Sequence, residues 1–368
     1  MITFDTLPLP PAMLENIKQL GFKEMTDIQE QSLPITLKGE DLIAQAKTGS
    51  GKTVAFGISM LLKIDVKNFT PQAMVLCPTR ELADQVAQEL RRLARFKHNL
   101  KILTLSGGMP MRAQMQSLEH GAHVIVGTPG RLLDHMSKRT VTLQKIETVV
   151  LDEADRMLDM GFYEDIKKII SHTPDQRQTL LFSATFPQEI KTLSREFMKS
   201  AKSVKTQSEH TEAVIEQKFY EVEIDEKEES LVKLLQLQQP SSVIIFANTK
   251  AEVIALTDML IEKGFSALDL HGDLEQIDRT QTLLQFANRS CVILVATDVA
   301  ARGLDIKDVE MVINYGLPRQ KEDYIHRIGR TARAGNEGRA VTLFTYKEKR
   351  KLDTYYDCLL YTSPSPRD

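Results

Sequence analysis

Short apolar runs of strand length alternate with helix-patterned segments twice along this chain, and that order restricts it to few architectures. In the first half, runs at 73–77, 100–105, 123–127, 147–151 and 179–182 read as buried strands, and segments 81–96, 111–120 and 130–138 follow helical spacing. Strands that are apolar throughout need cover on both faces, which a parallel sheet flanked by helices supplies. The pattern restarts with runs at 218–223, 242–246, 267–270, 292–296, 309–314 and 340–344. The expected fold class is α/β, with two tandem domains, each a parallel sheet flanked by helices. Segment 200–213 between the halves is polar and weakly patterned, as a linker would be.

The 368 residues suffice for two domains with separate cores. Met1-Ile2-Thr3-Phe4 does not open a basic, then apolar leader, and no apolar run approaches membrane-spanning length, so a cytoplasmic location without membrane contact is expected. Cys77, Cys291 and Cys358 lack metal-ligand spacing, which argues against zinc and disulfides. A formal net charge of −3 gives no sign of a nucleic-acid partner, so that question falls to motifs.

The most informative motif is Ala46-Lys47-Thr48-Gly49-Ser50-Gly51-Lys52-Thr53, between the apolar run 41–46 and the helix-like segment 54–64. Glycines let backbone N–H groups turn onto an anion, Lys52 can reach outer phosphates, and the Thr53 hydroxyl can bind Mg²⁺. Ala46 stands where the general phosphate-loop pattern has Gly, and a glycine-rich surface turn is the alternative for the loop alone. Upstream, a helix-like segment 12–20 leads to Gln29, whose donor and acceptor suit the edge of adenine, while Phe4 could stack on its face. For either residue alone, surface or core is the alternative.

Val149-Val150-Leu151-Asp152-Glu153-Ala154-Asp155 puts acids at the end of an apolar strand, where open α/β sheets present their ligand sites. Asp152 can continue the Mg²⁺ shell begun by Thr53, and Glu153 can orient or deprotonate a water attacking a γ-phosphate. Loop and acids together indicate ATP hydrolysis.

Asp152-Glu153-Ala154-Asp155 resembles the signature of the DEAD-box RNA helicases, and the resemblance runs from Phe4 to about Tyr346. Supporting strings are Pro78-Thr79-Arg80-Glu81-Leu82, Gly107-Gly108, Thr128-Pro129-Gly130-Arg131, Ser183-Ala184-Thr185, and His271-Gly272 with Gln276 and Arg279. Others are Ala296-Thr297-Asp298, Arg302-Gly303-Leu304-Asp305, and His326-Arg327-Ile328-Gly329-Arg330-Thr331-Ala332-Arg333, where the family has Gly at the place of Ala332.

The resemblance implies two RecA-like domains closing around ATP and single-stranded RNA, with ATP and Mg²⁺ as cofactors. Phe4, Thr26 and Gln29 would read the adenine region, Thr48, Gly49, Ser50, Gly51, Lys52 and Thr53 would hold the phosphates, and Asp305 would lie near the ribose. Lys52, Asp152 and Glu153 would carry hydrolysis, with Arg330 and Arg333 as arginine fingers and Thr53 and Asp152 on the metal. RNA contacts would come from Pro78, Thr79, Arg80, Gly108, Thr128, Gly130 and Arg131, and from Gly272, Arg279 and Thr297. Asp155, Ser183 and Thr185 would couple the acids to closure. The basic run Arg91, Arg92, Arg95, Lys97 and Lys101 could extend the RNA path or be a solvated helix face.

Strings at 76–96, 101–108, 118–135 and 270–288 look most like the bacterial DbpA type, which implies action on large-subunit ribosomal RNA in ribosome assembly; a monomer is expected, although the sequence itself does not set the oligomeric state. The expected division is 1–205 for the ATP-binding domain with its adenine-recognition motif, 206–216 for the linker and 217–357 for the second RecA-like domain. Residues 358–368 lack periodicity and resemble a translated sequencing adapter, so truncation before a C-terminal RNA-binding domain is expected. The leading reading is an ATP-dependent RNA helicase that locally unwinds short duplexes. The alternatives are a non-catalytic, ATP-gated RNA clamp or scaffold and, discouraged by Gln29 and the acidic tetrad, a DNA translocase.

Overall fold

The computed structural model describes residues 2–46, 49–206, 215–301, 309–331 and 338–352, which fall into two compact units, Met1–Gln207 and Ser208–Asp368. The first contains β1 (Leu42–Gln45), β2 (Ala73–Leu76), β3 (Ile102–Leu105), β4 (Val124–Gly127), β5 (Thr148–Leu151), β6 (Gln178–Ser183) and β7 (Lys202–Lys205). They form one sheet in the order β3-β4-β2-β5-β6-β1-β7, parallel at every pairing.

Strands β2, β4, β5 and β6 are buried at every position because helices cover both faces. The two-residue period of a strand divides their side chains between two cores. Ala73, Val75, Val126, Val150, Leu180 and Phe182 join the core that contains Phe56. Met74, Leu76, Ile125, Val149, Leu151 and Leu181 join the other. Since all strands run the same way, their C-terminal ends share one edge of the sheet. Ala46, Cys77, Ser106, Thr128, Asp152 and Ala184 each follow a strand there.

One sequence expectation needs correction. The segment read as a linker from residue 200 contains β7, which pairs with β1 in the register Leu42↔Lys202. Only Val204 of β7 is buried. An edge strand needs few apolar side chains and benefits from charge on its open side, so its composition mimics a linker.

The second unit contains β8 (Ile215–Glu221), β9 (Val243–Ala247), β10 (Ala267–Leu270), β11 (Ile293–Thr297), β12 (Met311–Asn314) and β13 (Gly338–Phe344). Their order is β10-β11-β9-β12-β13-β8, again all parallel. Strand β8 is also a largely exposed edge, and it begins inside the expected linker 206–216. Both units therefore have the expected α/β architecture. Among the described residues no helix is long and apolar enough to cross a membrane.

Phe56 and Phe182 meet in the first core with ring centroids 5.3 Å apart, tilted by 59°. Both are fully buried, so Phe182→Ala should cost about 3–5 kcal/mol. Thermal unfolding of the full chain should show a lower midpoint for the first unit, and an unshifted profile would contradict this packing.

Candidate nucleotide and RNA sites

The phosphate-loop candidate turns where glycine is required. Gly49 and Gly51 have φ of 83° and 88°, and Gly51 is the N-cap of helix Lys52–Lys63. A Cβ on Gly51 would lie 2.4 Å from Gln29 Nε2 and 3.2 Å from Thr26 Oγ1, so close approach excludes a side chain as well. Thr26 Oγ1 donates to the Ser50 carbonyl at 2.8 Å, and Gln29 Nε2 donates to the Gly51 carbonyl at 3.1 Å. The Gln29 carbonyl accepts the Thr26 N–H at 3.0 Å, capping helix Asp27–Thr36. Gln29 thus ties that helix to the loop. Phe4, read as a possible stacking face, is buried and packs in the first core.

Lys52 is buried, and its Nζ has no hydrogen-bond partner among the described residues. Thr53 is half-buried beside it. Burial pushes the Asp152 carboxyl up to about 7, the Lys52 ammonium opposing and Glu153 reinforcing the shift. Burial likewise raises the neighbouring Cys77 thiol, with Asp152 and Glu153 adding to it, so that thiol stays protonated.

Glu153 has φ 52° and ψ 52°, a left-handed conformation uncommon for a non-glycine residue, at the start of helix Ala154–Asp159. Its Oε2 accepts from Arg156 Nη1 at 2.8 Å, and both side chains are buried. Arg156 was missed from the sequence. Its only signal is an arginine three residues after an acid, a spacing that ordinarily marks a solvated helix pair.

Asp155 is joined to the end of β6. Its Oδ2 accepts from both the N–H and the Oγ1 of Thr185, each at 2.8 Å. Ser183 Oγ accepts the Asp155 N–H at 3.3 Å and donates to the Thr185 carbonyl at 2.7 Å. The three residues expected to couple are one hydrogen-bonded cluster.

The candidate RNA residues of the first unit occupy neighbouring loops on the same sheet edge. Pro78 follows β2, and Thr79 caps helix Arg80–Leu93, its Oγ1 accepting the Leu82 N–H at 3.3 Å. A Cβ on Gly107 would lie 3.0 Å from Arg80 Nε, so glycine lets that guanidinium lie against the backbone. Gly108 is left-handed, with φ 81°. Thr128 precedes helix Pro129–Ser137, and Gly130 has open space beside it. Arg131 Nη1 donates to the Met109 carbonyl at 2.8 Å and to Gln114 Oε1 at 2.9 Å. Gln114 in turn donates to the Ser106 carbonyl at 2.9 Å and lies 3.0 Å from His135 Nε2. Gln114 and His135 are further residues the sequence reading did not single out, and they join the two loops from beneath.

The basic run is partly structural. Arg91 Nη2 donates to the Ile102 carbonyl at 3.1 Å, Lys97 Nζ to the Leu62 carbonyl at 3.2 Å, and Lys101 Nζ to the Ser117 carbonyl at 2.7 Å. Lys97 covers the C-terminal carbonyls of the helix that begins at Lys52, where a cation is favoured.

In the second unit Gly272 follows β10 and Thr297 ends β11. Arg279 Nη2 donates to the Ala300 carbonyl at 2.6 Å, while the Ala300 N–H donates to Thr297 Oγ1 at 3.3 Å. Arg330 is buried just beyond helix Lys321–Ile328 and lines a small cleft with Phe246, Asp298, Ala301, His326 and Arg327. Arg327 uses all five guanidinium donors. Two reach Asp298, at 2.6 and 2.7 Å, and the others reach Asn248, Asn314 and the Gly316 carbonyl. It therefore fixes the ends of β9, β11 and β12 relative to its own helix. Thr48, Asp305 and Arg333 lie outside the described residues.

Comparison with known proteins gives the same pattern from an independent direction. A family model described as DEAD/DEAH box helicase matches residues 26–193, and one described as helicase conserved C-terminal domain matches 226–335. The chain is 54% identical over 360 residues to the ATP-dependent RNA helicase DbpA of Escherichia coli (strain K12), covering 98% of this chain and 79% of that protein. It is 46% identical over 349 residues to the DEAD-box ATP-dependent RNA helicase CshA of Geobacillus kaustophilus (strain HTA426), covering 95% and 74%. Its structure resembles that of S. cerevisiae Dbp5 bound to RNA and ADP BeF3, with TM-score 0.88, 32% identity and coverage of 99% and 94%. With two parallel α/β units, the acidic tetrad joined to Ser183 and Thr185, and relatives this similar along nearly its whole length, the chain belongs to the DEAD/DEAH box helicase family.

Proposed function

We propose that this protein is an ATP-dependent RNA helicase that locally unwinds short RNA duplexes, with large-subunit ribosomal RNA as its target in ribosome assembly. The observation that carries the catalytic reading is the buried Lys52 ammonium, unpartnered among the described residues, behind two left-handed glycines at a helix N-terminus. A buried cation without a partner is costly, and a phosphate oxygen is the acceptor this geometry suits. The similarity to DbpA supports the choice of RNA.

The residues also fit Mg²⁺. Among the described residues no three His, Cys, Asp or Glu side chains could hold a metal. Mg²⁺ ordinarily takes one or two protein oxygens together with phosphates and water, which Thr53 and Asp152 can provide. When bound, Mg²⁺ neutralises charge on the phosphates. Lys52 would hold the outer phosphates, and Glu153 would orient the attacking water. Thr26 and Gln29 would sense the adenine end, because both already contact the loop backbone. Arg330 and Arg333 would act as arginine fingers on the γ-phosphate. Asp155, Ser183 and Thr185 would transmit the change. The backbone-rich loops at Thr79, Gly108 and Gly130, with Arg80 and Arg131, suit phosphate and 2′-OH groups and do not choose a base sequence.

Lys52→Ala is expected to abolish ATP turnover together with nucleotide affinity. Glu153→Gln should keep ATP and RNA affinity and hydrolyse very slowly. Normal turnover in Glu153→Gln would overturn the assignment of that carboxylate, and an ATP-gated clamp requires wild-type protein that binds RNA without turnover.

Arg330→Ala should lower RNA-stimulated turnover by about 10³ while changing nucleotide affinity far less. A parallel loss of affinity, read by nucleotide titration, would contradict a finger role.

Unrelated RNAs of equal length should stimulate ATPase activity of this chain similarly, DNA more weakly, and salt should reduce all of them. Strong preference for one ribosomal RNA sequence would locate base readout within residues 1–357.

A further inference from the structure

Two buried arginines show different uses of a guanidinium. Arg327 satisfies five donors and joins four elements of the second unit, which is what a buried arginine kept for structure is expected to do. Arg156 is buried to a similar degree, yet its Nε and Nη2 have no hydrogen-bond partner among the described residues. Its one side-chain hydrogen bond there is Nη1 to Glu153 Oε2, at 2.8 Å. Burying an arginine for a single bond is poor economy for stability, since its desolvation costs several kcal/mol and unsatisfied donors add to that.

That contact falls on the side chain whose placement matters most. Glu153 sits at a left-handed backbone position, which fixes where its Cβ points but leaves three side-chain torsions free. Asp152 is held by its own Oδ1 accepting the Glu153 N–H at 3.0 Å, and Asp155 by Thr185. Arg156, one helical turn on, supplies the corresponding restraint for Glu153. Orienting a water requires a carboxylate fixed to a fraction of an ångström, and misplacement by about 1 Å can cost about 10²-fold in rate.

We propose that Arg156 is a positioning residue for ATP hydrolysis, acting by holding the Glu153 carboxylate through this buried ion pair. The proposal rests on Glu153 being the water-orienting acid.

The test is single-turnover ATP hydrolysis by the full chain saturated with RNA, with nucleotide affinity measured separately. Arg156→Met should lower the hydrolysis rate by about 10- to 100-fold and leave ATP affinity within about 2-fold. Arg156→Lys can still place one charged donor near the carboxylate, so it should recover part of that loss and serves if the methionine variant folds poorly. In a Glu153→Gln background, Arg156→Met should cause no further loss, because the group it positions is gone. An additive loss in that background, or equal falls in rate and affinity, would overturn the proposal in favour of a general packing role. If Arg156→Met hydrolyses at the wild-type rate while Glu153→Gln is slow, this inference fails and the reading of Glu153 stands. Full activity in Glu153→Gln would instead remove the reading itself and the inference with it.

Discussion

Both units depend on one constraint, that a parallel sheet buried on both faces must leave its function to its edge. The side chains of β2 and β5 are buried on either side of the sheet, so none of them is open to a ligand. What remains is the row of turns after the strands, all on one edge because all strands are parallel. The phosphate loop follows β1, the acids follow β5, and Ser183 ends β6, which lies between those two strands in the sheet. This order explains why Ser183 and Thr185 can bond to Asp155 although 28 and 30 residues separate them. Pairing of β6 with β5 sets the distance, and hydroxyl groups complete it.

The sequence made most strands legible but hid the edge strand β7 and the start of β8, for a physical reason. A strand covered on both sides is mostly apolar, as in Val149-Val150-Leu151, and that pattern needs no tertiary information to read. Strands β7 and β8 have one neighbour each and mostly exposed side chains, so their hydrogen bonding is decided by a partner distant in sequence. The phosphate loop and the acids were legible because their chemistry requires particular residue types at fixed spacing. Gln114, His135 and Arg156 were not. Each matters through what it holds, and such a role is visible only when the held group is in view.

Phe4 and Arg131 show the converse limit. Residue type suggested a stacking face and a phosphate contact, and both side chains have structural work of their own. Phe4 fills the first core, while Arg131 joins the loop after β3 to Gln114. An arginine with five donors can do both, since only Nη1 is used in those two bonds.

The buried charges near the phosphate loop bear on stability as well as on chemistry. Asp152 titrates near 7 because burial disfavours its ionised form, well above the ordinary carboxyl value of about 4. A folded-state pKa above the unfolded one means that ionising this carboxyl opposes folding. The penalty is absent below about pH 4, grows as pH rises towards 7 and is complete above it, where it reaches a few kcal/mol. Lys52 relieves part of the penalty for Asp152, and Arg156 faces Glu153 at close range. The cluster is therefore less stable than an apolar packing of the same volume, and a divalent cation with a triphosphate would supply the charge it lacks. Ligand affinity in such a site derives partly from relief of strain already present in the protein, which ties nucleotide binding to the stability of the first unit.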